Sequence, residues 1–269
     1  MRNALASGLF LARRTGRIAL LAGMALMTCA ATVLAEQGGP LFMVAGVPNE
    51  VVGATIGFIG NVTVSGQAAE SALRGALVYT IAWIPVAAIL AVAAIDKGVS
   101  AMTARISRAR GIPSGATALS RALPEAGALS LAYALSCFAS FIFRLPACNT
   151  SFVEAPWALA CAVIATNCLL LSAIYLISSC IASLTRAPLL SAFLTLTFHI
   201  GALLAYPNAY IAGSAPAIVW ANPAVCLMHT CSLNTQSMLL GAIAIIGALA
   251  IGICCALMYF ACNHQEACQ

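Results

Sequence analysis

The sequence predicts an all-α, polytopic membrane protein with six spans in one transmembrane domain, and three observations predict it. Hydrophobic residues make up 62% of the chain and charged residues only 7%, with a mean hydropathy of +1.01. That is more apolar surface than one soluble core can hide. The apolar residues gather into runs close to the ~20 residues that a helix needs to cross the hydrocarbon, at about 18–35, 76–95, 126–145, 157–183, 189–206 and 238–262. If these runs alternate in direction, Arg2, Arg13, Arg14, Arg17, Lys97, Arg105, Arg108, Arg110, Arg121 and Arg186 share one side, and only Arg74 and Arg144 face the other. Positive charge collects on the cytoplasmic side. This asymmetry predicts a multi-pass protein of the cell membrane with both termini in the cytoplasm, and it accounts for the net charge of +5 without a nucleic-acid partner.

The first 17 residues place Leu5, Leu9, Phe10 and Leu11 among four arginines, which suits a helix lying in the membrane interface. The apolar run 18–35 then reads as a retained first span. Its competitor is a signal peptide ending at Val33-Leu34-Ala35 before Glu36, but the run is long for one and further spans follow. Residues 36–75 are broken by Gly38-Gly39-Pro40, Pro48, Asn49, Glu50 and Glu70, so they do not span, and on the charge rule they face outward. Asn61-Val62-Thr63 matches a glycosylation acceptor, a tripeptide that arises often by chance. The second span carries Pro85 as a tolerated kink.

Between the second and third spans lies the densest positive block, with Lys97, Arg105, Arg108, Arg110 and Arg121. It has room for a helix from about Ser100 to Arg110 and another beginning near Pro113, separated by Gly111. In the first of these, Met102, Ile106 and Ala109 share a face with Arg105 and Arg108 beside it, a pattern that fits a headgroup boundary or a partner protein. Pro124 and Glu125 suit the opening turn of the third span, the carboxylate favouring the positive end of the helix dipole. At its far end, Arg144 either pairs with Glu154 across the hairpin 146–156 or snorkels to the interface.

The interior polar groups are few. Asn167 in the fourth span reads as an interhelical hydrogen bond ahead of a pathway residue. The short connection 184–188 carries Arg186, a second and smaller cytoplasmic contact. His199 in the fifth span has no acidic partner in its segment and reads as a satisfied structural group ahead of a proton relay. Residues 207–237 hold no charge yet are studded with proline, asparagine and glycine, which fits short re-entrant or interfacial helices on the outer side. In the last span Ala244, Ala248 and Gly252 put small residues on one face at four-residue spacing, which permits close helix contact. Most of the 12 cysteines lie inside apolar runs and act as small hydrophobes, with any bridge among Cys148, Cys226 and Cys231 left open.

The block at 96–121 carries a resemblance. An apolar span ending in Ile95-Asp96-Lys97-Gly98, a short Ser/Thr-containing helix, the run Arg105-Ile106-Ser107-Arg108-Ala109-Arg110-Gly111-Ile112, and the pair Ser120-Arg121 resemble the permease subunits of type-2 ATP-binding-cassette exporters. Gly98, Ile106, Ser107, Arg108, Ser120 and Arg121 fit that family's pattern. Val99-Ser100 replaces the usual Thr-Ile, Gly111-Ile112-Pro113 stands where an arginine is more typical, and Arg121 replaces a lysine. Trp220-Ala221-Asn222-Pro223 is similar to an Asn-Pro dipeptide that the family shows before its last span. The resemblance implies six spans, an N-terminal interfacial helix, re-entrant helices before the last span and a dimer of permeases. It also implies an elbow, made here by Met102, Arg105, Ile106, Arg108, Arg110 and Arg121, that docks on a separate ATP-binding subunit.

Absences agree with that division of labour. The single lysine follows no glycine-rich loop, so no phosphate-binding loop is present and ATP hydrolysis falls to a partner. No Gly-x-Ser-x-Gly or His-Glu-x-x-His motif occurs, and Cys262, His264 and Cys268 fit no usual zinc spacing. The expectation is a non-enzymatic transport subunit without cofactor or metal, exporting a hydrophobic or amphipathic drug, peptide or lipid. The alternative is a stand-alone secondary carrier or small intramembrane enzyme, although inverted repeats and intramembrane carboxylates for coupling ions are not evident in the spans.

Overall fold

The computed structural model describes residues 16–36, 68–94, 109, 111–185, 187–211, 221–231, 233 and 237–267. Among them there are helices and no strand, as the composition predicts: α1 (Arg17–Glu36), α2 (Ala68–Ala76), α3 (Thr80–Ala94), α4 (Ser114–Ala147), α5 (Trp157–Thr185), α6 (Pro188–Ile211), α7 (Pro223–Cys231) and α8 (Ser237–Ala267). Among the described residues five stretches are long and apolar enough to cross a membrane, Ala72–Ala94, Ser114–Ala147, Trp157–Thr185, Pro188–Ala205 and Leu239–His264; Arg17–Thr32 is a shorter apolar helix. The protein is therefore a multi-pass, all-α membrane protein.

Hydrogen bonds align the helix ends. At one end Arg17, the first residue of α1, donates to the Ala93 carbonyl near the end of α3 (2.9 Å), and Ser114, the first residue of α4, donates to the Cys262 carbonyl of α8 (2.8 Å). At the other end the Tyr79 hydroxyl, just before α3, reaches the Ala31 carbonyl late in α1 (3.4 Å). A hairpin there joins α4 to α5. It turns through Asn149 in the left-handed region (φ 52), and Trp157 packs on Phe141 and Phe152 with ring centroids 5.2 and 4.6 Å apart. The helix α5 stands at the centre, packed by α3, α4, α6, α7 and α8, and it buries Leu170, Leu171, Ile174 and Tyr175 almost completely.

The expected helix beginning near Pro113 and the third predicted span form one helix. Gly111, with φ +69, and Pro113 precede its first turn, while the expected helix from Ser100 to Arg110 lies almost wholly outside the described residues. From Ser114, however, a single 34-residue helix runs through Pro124 to Ala147. Pro124 and Glu125 sit well inside it and open nothing. A proline in a spanning helix frees one carbonyl, and neighbouring helices and hydroxyls in the bundle can re-satisfy that group. The N-terminus of α4 is held by α8, since Asn263 Oδ1 accepts from the Gly115 N–H (2.9 Å). A side chain at Gly115 would meet the Tyr259 carbonyl oxygen at 2.5 Å, so only glycine lets the two backbones approach this closely.

Two other expectations change. Arg144 neither pairs with Glu154 nor snorkels outward. It is buried against Gly75, where an added Cβ would lie 2.0 Å from its Nε, while Glu154 accepts from the Ser151 hydroxyl (2.7 Å). The small-residue face of the last span also points away from the bundle. Ala248 is exposed and Gly252 has nothing within 4 Å; Gly247 makes the close contact, against Leu170. Spacing locates a face on a helix but not the direction in which it looks.

Candidate functional site

Two polar assemblies occupy the bundle. The first surrounds Asn167 on α5, which is fully buried. Its amide nitrogen donates to the Tyr133 hydroxyl of α4 (3.0 Å) and to Cys231 Sγ of α7 (3.6 Å), while its carbonyl accepts from Thr230. Tyr133 also shares a hydrogen bond with Thr80 at the start of α3 (3.0 Å) and meets Trp83 edge to face, centroids 5.7 Å apart. Three elements thus meet on one amide and α3 joins them through Tyr133, and the expected interhelical hydrogen bond is present. An unpaired amide here would cost ~1–3 kcal/mol, so satisfaction of this group fixes where α7 sits.

The helix α7 is placed at its other end by Asn222-Pro223. Asn222 is the N-cap: its Oδ1 accepts from the Ala224 N–H (2.9 Å), with Pro223 at the first helical position, where no amide hydrogen is needed. The same side chain donates to the Phe198 carbonyl of α6 (3.1 Å). All but one residue of α7 are buried. Burial pushes the Cys226 thiol up to about 11 and the Cys231 thiol up to about 12, so both are neutral thiols rather than nucleophilic thiolates. Cys231 forms no disulfide.

His199 is half satisfied. Its Nδ1 lies 3.4 Å from Asn222 Oδ1, an acceptor only, so Nδ1 carries the proton and Nε2 is left as a bare acceptor. Nε2 has no partner among the described residues, nor has Thr195 Oγ1 one turn earlier. Ser191, Thr195 and His199 are the buried positions of α6 between 188 and 205, and all three are polar, whereas Leu189, Phe193 and Leu204 are exposed. In lipid the apolar residues face outward and the polar ones inward.

The second assembly lies at the end where α1 begins. Arg17 forms an ion pair with Glu125 Oε1, and the Tyr175 hydroxyl donates to Oε2 (2.7 Å). With Ile18, Leu21, Leu90 and Ala128, these three residues line a crevice between α1, α3, α4 and α5. Arg121 stands on α4 one turn before Glu125, with Glu125 and Arg17 as its charged neighbours.

Of the residues singled out in the sequence, Asn167, His199 and Arg121 are described, while Met102, Arg105, Ile106, Arg108, Arg110 and Arg186 lie outside the described residues. Asn167 and His199 belong to neighbouring sites joined through α7, and Arg121 belongs to the other assembly. Glu125 serves the site as an ion-pair partner rather than as the residue of an opening turn, and Tyr175, Tyr133 and Thr230 join the two assemblies without a signal in the sequence. The spacing Arg121–Glu125, one helical turn, was the available local signal. Among the described residues no group of His, Cys, Asp and Glu is arranged to hold a metal ion. Comparison with protein-family models, with curated proteins and with solved structures gives no match, and a multi-pass membrane protein is what the residues themselves establish.

Proposed function

We propose that the chain is the membrane-spanning permease subunit of an ATP-binding-cassette exporter. In this reading it moves a hydrophobic or amphipathic substrate across the cell membrane as a homodimer or heterodimer, using ATP hydrolysed by a separate subunit. The observation that carries the reading is the continuity of α4. The basic segment that resembles the family's elbow leads, past Gly111, into one unbroken helix whose start is tied to α8 through Asn263 and which is tied three turns further on to α1 and α5 through Glu125. A push delivered to the basic segment would reach the core along a stiff element rather than dissipate in a loop. The short buried helix capped by Asn222-Pro223 before the last span supports the same reading, as a re-entrant element.

One observation favours a secondary carrier: the bare Nε2 of His199 beside the unpartnered Thr195 hydroxyl, a proton acceptor inside the bundle. The two readings separate in one experiment. Purified in mild detergent, the protein should bring down an ATPase. Vesicles holding both should export only while ATP is hydrolysed, with transport retained in His199→Gln. Transport driven by a pH gradient without any ATPase, and abolished by His199→Gln, would replace the exporter with the carrier.

The six-span arrangement, with 18–35 retained as the first span and both termini cytoplasmic, makes its own demand. Cysteine introduced at position 108 should be labelled by impermeant reagent only from the cytoplasm, and at position 60 only from outside. Labelling of both from one side would end the model.

A further inference from the structure

We infer that Arg121, together with Arg17, binds the phosphate of an anionic phospholipid at the membrane surface where α1 begins. The inference starts from a count of acceptors. Glu125 accepts from the Arg17 guanidinium at Oε1 and from the Tyr175 hydroxyl at Oε2, and neither oxygen accepts from Arg121. Arg17 uses its other terminal nitrogen on the Ala93 carbonyl. Arg121 lies one turn from Glu125 and feels its charge, yet it makes no hydrogen bond among the described residues, and its Nη2 is buried without a partner. Two guanidinium groups therefore share one carboxylate. The surplus positive charge is partly enclosed, and a partly enclosed guanidinium lacking an acceptor calls for an anion.

The position of the cluster names the source of that anion. Arg17 is the first residue of α1 and Ala93 the last but one of α3, so the site lies at the ends of apolar helices. At 34 residues, α4 is about 51 Å long, against ~30 Å of hydrocarbon. Its first two turns, which reach Arg121, therefore extend to the headgroup level. Next to Arg17 a narrow crevice has Ile18, Leu21, Leu90 and Ala128 in its walls beside Glu125 and Tyr175, so the charged cluster borders apolar surface. A diester phosphate offers unbridged oxygens to guanidinium forks, whereas a zwitterionic headgroup brings its own cation to a site already positive.

Thermal denaturation of the detergent-solubilised protein, titrated with phosphatidylglycerol, phosphatidylcholine or inorganic phosphate, tests this. Phosphatidylglycerol should raise the midpoint, while phosphatidylcholine and millimolar phosphate should not. Arg121→Gln should weaken the phosphatidylglycerol response about tenfold, the loss of a charge-assisted hydrogen bond, with Arg121→Lys intermediate. Without lipid, Arg121→Gln should be no less stable than wild type, because it removes a charge that had no partner. Equal shifts from all lipids, an equal shift from free phosphate, or an Arg121→Gln variant that keeps the full lipid response would each overturn the assignment. So would a lipid-independent loss of stability in Arg121→Gln, which would make the residue a structural partner of Glu125.

Discussion

Glu125→Ala should lower the stability of the bundle by about 3 kcal/mol, the low end for removing one partner of a buried ion pair. The low end applies because Arg17 keeps 20% and Glu125 11% of its side-chain surface exposed, which leaves some solvent to relieve the charge that remains. The loss has three parts: Arg17 retains only the Ala93 carbonyl among the described residues, Arg121 loses the negative charge one turn away, and the Tyr175 hydroxyl loses its acceptor. Because Arg17 opens α1, the loss should loosen that helix first. Limited proteolysis should then cut near residue 36 before the rest of the chain yields. Glu125→Gln keeps an acceptor for Arg17 and should cost less. Adding Arg121→Gln to Glu125→Ala should restore part of the stability, since one of the two orphaned charges is then gone. A thermal midpoint in detergent that is unchanged in Glu125→Ala would show that the pair contributes nothing.

The same cluster shows what a linear sequence conceals. Composition and the length of apolar runs find the long helices among the described residues but not where α4 begins, because both depend on neighbouring residues. The pairing of Arg17 with Glu125 crosses 108 positions, and no local pattern encodes it. Pro124-Glu125 at the start of an apolar run fits an opening turn, yet proline inside a spanning helix presents the same letters, and only packing on α5 and α8 distinguishes the two. Asn222-Pro223 is the opposite case, since an N-cap followed by proline is wholly local chemistry. His199 was judged by its own segment, whereas its partner, Asn222, comes 23 residues later from a different helix. Ala244, Ala248 and Gly252 recur with a true helical period, but a spanning helix can bury either face against protein or lipid, so period alone leaves the direction open.

Changing Met102 and Ile106 together to aspartate should abolish the coupling of ATP hydrolysis to transport while leaving insertion and folding intact. Both residues lie outside the described residues, and the expectation rests on the proposed docking of the basic segment on an ATPase. Docking energy comes chiefly from apolar side chains seated in a cleft, with rim charges adding orientation and rate. Two carboxylates forced into that cleft would lack partners, a penalty large enough to empty the interface at any ordinary concentration (~3–5 kcal/mol for one uncompensated buried charge). Arg108→Gln should do much less, and its effect should shrink as salt screens the rim. The double variant keeps every arginine, so a segment that only fixes topology would tolerate it. The continuity of α4 from Ser114 to Ala147 adds a second requirement. Three glycines inserted after Gly111 should uncouple while binding of the ATPase survives, because they separate the docking surface from the stiff helix. If the double aspartate protein, reconstituted with its ATPase, exports substrate at the wild-type ratio of transport to hydrolysis, the segment is an anchor and the exporter reading loses its mechanical basis.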